Sequence, residues 1–272
     1  MNTVDAPSSL AGVLAALAAD PDAQVIAGGT DFMVEVNFDL RRPTSVVSLH
    51  RADELRAWTQ TADTLRIGAA VTCATLERPP FAELAPALAQ AARTVGSPQI
   101  RNAATIGGNL GTASPAGDLL PVLSALDATV IAARAGAERS LSIHEFLVGP
   151  KRNALDRGEL VTEVRLPVLG RPQEFLKVGT RNAMVISVAN LAMVHVGDRV
   201  NVALGSVGPT VLRARNAEDW FAVRGLDTLA IDEFASRVAA EARPIDDHRS
   251  SAAYRRRAIG VCAARAARRI LG

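Results

Sequence analysis

The chain has 272 residues, 49% hydrophobic and 21% charged, an ordinary balance for a globular protein with a sizeable buried core. Its formal net charge of +2 reflects 30 Lys and Arg against 28 Asp and Glu, which argues against a nucleic-acid binder. The two cysteines, Cys73 and Cys262, lie far apart and the four histidines show no ligand spacing, so no metal or cluster site is expected on this chain.

Length alone suggests about two domains, and the pattern of elements divides the chain into three segments. Residues 1–55 read as a small α/β unit. A helix over Ser8–Ala19, capped by Ser8 or Ser9, is too short to span a bilayer, and no basic n-region precedes it. No other stretch reaches membrane-spanning length, so a cytoplasmic protein without membrane insertion is expected. A strand over Gln24–Ala27 enters a glycine loop, and Thr30 or Asp31 can cap a helix over Phe32–Asp39. Pro43 then breaks the chain before an apolar strand, Ser45–Leu49.

Residues 56–168 follow with a strand at Leu65–Ala69, a short helix capped by Thr72, and an alanine-rich helix over Phe81–Thr94. A second glycine loop comes next, then an apolar run, Leu119–Leu126, and strands Ala128–Ala133 and Leu160–Leu166, with Gly149-Pro150 and Gly158 marking the loop between them. In residues 170–272, Phe175–Val178, Val188–Val196, Val200–Leu204 and Ser206–Val207 read as an antiparallel sheet. Helices Ala214–Phe221, Thr228–Ala242 and Ser250–Ile270 come after it, an α+β order with helices on one sheet face.

The informative motifs are the two glycine pairs, Ala27-Gly28-Gly29-Thr30-Asp31 and Thr105-Ile106-Gly107-Gly108-Asn109, the second opening TIGGNLGTASPAGDLLP. Glycine lets the backbone approach a ligand and turn its N–H groups inward. A row of N–H groups, added to the positive end of a helix dipole, holds phosphate without Lys or Arg. Two such loops suit a pyrophosphate and hence a dinucleotide. Neither Gly-x-Gly-x-x-Gly after the first strand nor Gly-x-x-x-x-Gly-Lys is present, which excludes a nicotinamide-type Rossmann domain and a nucleotide triphosphatase. The first pair alone reads equally as a turn. The second is more specific, because a surface loop has no need of so many small donors within twelve residues (Gly107 to Asp118, with Asn109, Thr112 and Ser114 between).

These stretches resemble the FAD-binding medium subunits of molybdenum hydroxylases, the carbon monoxide dehydrogenase and xanthine dehydrogenase family. AGGTDFM matches the family's first flavin loop and TIGGNLGTASPAGDLLPVLSALDA its second. EVRLP (Glu163–Pro167), Phe175-Leu176-Lys177 with Arg181, GSVGPTVLRA (Gly205–Ala214), Asp246-Asp247-His248-Arg249 and Tyr254-Arg255-Arg256 extend the likeness along nearly the whole chain. The resemblance implies a p-cresol methylhydroxylase-type FAD-binding fold of two α/β subdomains, followed by a C-terminal α+β domain. It implies a large molybdenum-cofactor subunit and a small iron–sulfur subunit as partners. Electrons would pass from 2Fe–2S clusters to FAD and on to an external acceptor. By the same resemblance, Val25, Ile26, Ala27, Gly28, Gly29, Thr30, Asp31 and Phe32 cradle the pyrophosphate. Thr105, Ile106, Gly107, Gly108 and Asn109 contact the phosphates and the adenosine side. Thr112 and Asp118 lie along the ribityl chain and adenine ribose, Val161 offers backbone contacts, and Lys177 approaches the flavin ring. No catalytic acid, base or metal ligand is nominated.

Bland readings stand beside these. Asp118 reads equally as the N-cap of the helix beginning at Leu119, and Lys177 as a solvated strand end. The basic C-terminal helix, with Arg255-Arg256-Arg257, Arg265, Arg268 and Arg269, reads as a packed helix with a solvated or partner-facing side. Two other functions remain open: a self-contained flavoenzyme resembling UDP-N-acetylenolpyruvoylglucosamine reductase, and a flavin-free binding or assembly module.

Overall fold

A computed structural model describes residues 3–225 and 230–271. Three main sheets and a two-stranded one, Leu147–Gly149 with Arg152–Asn153, organise them. The first is parallel, with Ser45–Ser48 between Thr3–Asp5 and Gln24–Ile26. The helix Leu10–Ala19, capped by Ser9 accepting from Gly12 N at 3.1 Å, buries Val13 and Leu17 against Val47, Leu49 and Leu160. The second sheet has five antiparallel strands in the order Trp58–Gln60, Thr64–Gly68, Leu160–Pro167, Thr129–Arg134, Ala137–Ser142. Helices Pro86–Thr94, Ile106–Thr112 and Leu119–Ala125 build the largest core with it, around Leu65, Ile67, Leu88, Leu110 and Leu123.

The third sheet is antiparallel, in the order Gln173–Val178, Ala189–Val196, Arg199–Gly205, Leu212–Arg213. Its two central strands are largely buried on both faces. Leu191 and Met193 pack under helices Arg215–Arg224, Ile231–Glu241 and Ala252–Leu271, while Ala192 and Val194 join the second sheet's core. Alternation sends neighbours to opposite faces, so a strand buried on both, such as ANLAMVHV, reads as a largely apolar run broken only by Asn190 and His195.

Several sequence expectations change. Phe81–Thr94 is two helices, Phe81–Leu84 and Pro86–Thr94, because Ala85 precedes a proline and is held at φ −143° and ψ 67°. Ser206–Val207 is not the fourth strand: Ser206 has φ +63°, and Leu212–Arg213 pairs with Ala203 and Leu204 instead. The helix expected from Thr228 is described over Ile231–Glu241, and Thr228 lies outside the described residues. The second glycine stretch is itself the helix Ile106–Thr112, with three glycines in seven residues. Packing rather than propensity holds it: the Thr105 hydroxyl caps it and its first amides dock on the chain at Ala69 and Val71.

Candidate functional site

The three units meet at a cleft of about 730 Å³, within the range of small-molecule sites. One wall is the turn from strand Gln24–Ile26 into helix Phe32–Asn37. Here Gly28 touches the opposite wall: a Cβ built on it would lie 1.7 Å from the Ala103 carbonyl oxygen. Gly29, at φ +71°, turns the backbone where an L side chain would be strained. Among the described residues, the main-chain N–H groups of Gly28, Gly29, Thr30 and Asp31 donate to no protein acceptor. They form a row of unclaimed donors on residues that line the cleft, as an anionic group requires.

The opposite wall works differently from a phosphate loop. The amides of Ile106, Gly107 and Gly108 donate to Val71 O (3.0 Å), Ala69 O (2.8 Å) and Thr105 Oγ1 (2.9 Å), so the protein already uses them. What this helix offers is a face without side chains. A Cβ at Gly111 would meet nothing within 4 Å, and one at Gly108 would meet only Thr105 Oγ1, at 3.0 Å. Beside that bare strip sits Asn109 Oδ1, buried and without a hydrogen-bond partner. A cradle that side chains would fill, an orphan amide oxygen and a row of free N–H donors fit a bound dinucleotide. The walls also touch directly, because Thr112 Oγ1 donates to Asp31 Oδ2 at 3.0 Å.

Of the residues nominated from sequence, Val25, Ala27 to Phe32, Thr105, Gly107, Gly108, Asn109, Thr112, Asp118 and Val161 line this cleft. Ile26, Ile106 and Lys177 do not line it, and Ile106 is fully buried in the core. Lys177 is not a solvated strand end. Its ammonium donates to Asp118 Oδ2 at 2.5 Å and to Thr94 O at 3.1 Å. Asp118 stands first in its helix without capping it; its carboxylate also accepts from Asn190 Nδ2 (3.1 Å) and Thr94 Oγ1 (3.2 Å). Burial pushes the Asp118 carboxyl above its ordinary range, and the Lys177 charge beside it opposes that rise.

Sequence reading missed the cleft's polar rim and its apolar end. Glu35 accepts from Arg41 Nε at 2.9 Å and from Lys151 Nζ at 2.7 Å, and Arg41 lies over the Phe32 ring. The Lys151 ammonium, with Arg41 behind it, holds the Glu35 carboxyl below its usual range against the opposing effect of burial. No local pattern could show a bridge spanning 116 positions. Met184 and Ile186, both more than half exposed, form the apolar end with Ile100. Arg181 shapes that turn by donating through Nε to Ala183 O and Met184 O. Cys73 also lines the cleft, and burial, reinforced by Asp118, pushes its thiol up to about 12. A thiol held protonated is a poor nucleophile. Among the described residues no cluster of His, Cys, Asp and Glu could hold a metal ion, and no helix is long and apolar enough to cross a membrane.

Known proteins carry the same architecture. Residues 2–169 match the model of the FAD binding domain in molybdopterin dehydrogenase, and residues 174–270 that of the CO dehydrogenase flavoprotein C-terminal domain. The nicotinate dehydrogenase FAD-subunit of Eubacterium barkeri is 36% identical over 210 residues, covering 72% of this chain and 70% of that one. A chain of quinoline 2-oxidoreductase from Pseudomonas putida 86 superposes with a TM-score of 0.92 at 27% identity, covering 99% of this chain and 96% of that one. A chain of the carbon monoxide dehydrogenase of Hydrogenophaga pseudoflava does so with a TM-score of 0.92 at 26% identity, covering 99% and 97%. The fold is therefore the expected p-cresol methylhydroxylase-type one, with a C-terminal α+β domain. The chain belongs to the FAD-binding flavoprotein subunits of molybdenum-dependent dehydrogenases, an oxidoreductase family, and its cofactor is FAD.

Proposed function

We propose that this chain is the electron-transfer subunit of a cytoplasmic molybdenum hydroxylase complex. A large subunit holds the molybdenum cofactor and oxidises the substrate, and a small subunit's 2Fe–2S clusters deliver the electrons. Bound FAD supplies the capacity to accept those electrons singly and release them to an external acceptor. Residues 1–55 and 56–168 act as the two halves that grip it, and residues 170–272 add Met184 and Ile186 at the cleft's apolar end. The observation that carries this reading is the meeting of both glycine segments on one cleft, where the amides from Gly28 to Asp31 are unclaimed.

In this reading the chain binds and orients rather than moving protons. Gly28 to Asp31 donate to the diphosphate, the bare face at Gly108 and Gly111 lets the cofactor lie against the helix, and Asn109 offers a polar atom to a hydroxyl. The carboxylates at the cleft are engaged within the protein: Glu35 with Lys151, Asp118 with Lys177, Glu159 with Arg139, and Asp31 with the Thr112 hydroxyl. None is poised as a general base.

The test is the cofactor content of the native complex isolated through this chain. FAD, molybdenum and iron together are the expected result. Turnover of a substrate with NADPH by the chain alone would favour a self-contained flavoenzyme. A colourless chain that cannot be reconstituted with FAD would make it an assembly module. Gly108→Val is expected to keep most of the fold, since the one atom its Cβ meets is the Thr105 hydroxyl, at 3.0 Å, which a shift of a few tenths of an ångström relieves, while FAD occupancy drops at least tenfold, on the order of 1.4 kcal/mol or more. Normal flavin absorbance in that variant would refute the placement of the cofactor against this helix.

A further inference from the structure

The helix Phe32–Asn37, which follows the free amides, has no buried residue. Met33 and Val34 on it, and Phe38 and Leu40 after it, are exposed. Core packing therefore does little to place this wall, and such segments open locally. Two bonds across the cleft hold it instead: Thr112 Oγ1 to Asp31, and Lys151 Nζ to Glu35. Lys151 comes from the tight turn between Leu147–Gly149 and Arg152–Asn153. That turn is fastened to the other wall, through Lys151 N to Ala113 O (3.0 Å) and Asn153 Nδ2 to Gly111 O (2.8 Å). Lys151 sits at φ +53°, a conformation that glycine adopts freely and lysine does not. The backbone there aims this side chain at Glu35.

We propose that Lys151 is a positioning residue for the cofactor: through Glu35 it latches the Phe32–Asn37 wall shut, keeping the Gly28–Asp31 amides opposite the glycine face of helix Ile106–Thr112. Its consequence for FAD rests on reading the cleft as the FAD site. In this proposal Lys151 acts through Glu35 rather than by binding the diphosphate itself, and the Glu35→Gln background tells the two apart.

Two measurements on the full chain test this. In the FAD-free protein, Lys151→Met is expected to speed hydrogen exchange of the amides of residues 33–38 about fivefold, while Tm stays unchanged, because an ion pair this exposed adds little global stability. In the FAD-reconstituted protein, Lys151→Met is expected to speed flavin release about fivefold, but less than twofold when added to Glu35→Gln. Lys151→Arg, which can still pair with Glu35, is expected to stay within twofold of the parent. Unchanged exchange and release in Lys151→Met would overturn the latch. So would an equal acceleration in the Glu35→Gln background, which would make Lys151 a direct phosphate ligand. If the parent takes up no FAD while exchange still accelerates, the latch stands and the reading of the cleft fails.

Discussion

Gly28→Ala is expected to weaken FAD binding at least a hundredfold and to lower the stability of the FAD-free chain. A methyl at this position would sit 1.7 Å from Ala103 O, 2.3 Å from Ala103 C and 3.1 Å from Ala104 N. Those are main-chain atoms, so no rotamer change relieves the clash and one of the two walls must move. Ala103 ends the helix Pro98–Ala103, and Ala104 O accepts from Cys73 N at 2.8 Å, so the displacement reaches the residue before the Thr105 cap. Forcing added atoms into a packed contact costs about 1–3 kcal/mol, and more where backbone is the obstacle. Gly111→Ala is the control for stability alone, since Gly111 belongs to the face that the cofactor would lie against. Its methyl enters open space, so stability is expected to hold or rise, by up to about 1 kcal/mol from helix propensity. Thermal melting and FAD titration of both variants decide the matter. A Gly28→Ala chain that melts and binds like its parent would mean that the walls do not meet there.

The contrast between these glycines marks what the sequence could and could not reveal. The first glycine segment followed from its local setting, a short apolar strand ending in Gly-Gly with a polar residue ahead of a helix. The second was found as a motif able to open a helix, but its own helical course, Ile106–Thr112, was read as a loop. Its helix is held by Ala69 and Val71, which are more than thirty positions away, and a propensity argument counts three glycines against it. The central strand Ala189–Val196 was legible because all but Asn190 and His195 of its positions are apolar. The short edge strands Thr3–Asp5 and Trp58–Gln60, fully or mostly exposed, carry no such signal and were missed. The polar rim was invisible for a related reason. Glu35, Arg41 and Lys151 are ordinary charged residues in sequence, and only the fold brings Lys151 to Glu35. Asp118 and Lys177 lay in view from the start, but their partnership across 59 positions did not.

That partnership makes Asp118→Ala the second large effect, in the fold before the cofactor. Two readings of Asp118 came from sequence, a helix cap and a cofactor contact, and either loss would amount to about 1–3 kcal/mol. The structure shows no cap bond from the Asp118 side chain and adds a buried ion pair at the cleft: the side chains of Lys177 and Asp118 are 9% and 6% exposed, and their atoms lie 2.5 Å apart. Removing the carboxylate leaves the ammonium desolvated with Thr94 O as its remaining acceptor, and stranding one member of a buried pair costs about 3–5 kcal/mol. The reverse change, Lys177→Met, is expected to be milder. Asp118 keeps donors from Asn190 and Thr94, and burial already favours its protonated form, so it can take up a proton instead of staying charged. The sign of the pH dependence follows. With Lys177 gone the folded carboxyl lies further above its unfolded value. The stability tied to it is therefore complete below the unfolded value and is lost as pH rises through the folded one. Lys177→Met should be most stable in mild acid and weaken towards neutrality. An Asp118→Leu, Lys177→Met double variant, with no charge left to strand, should recover much of the loss. Denaturant titrations of the FAD-free chains at acid and neutral pH separate these outcomes. Were Asp118→Ala as stable as the parent and defective only in holding FAD, the carboxylate would serve the cofactor and the pairing with Lys177 would be incidental.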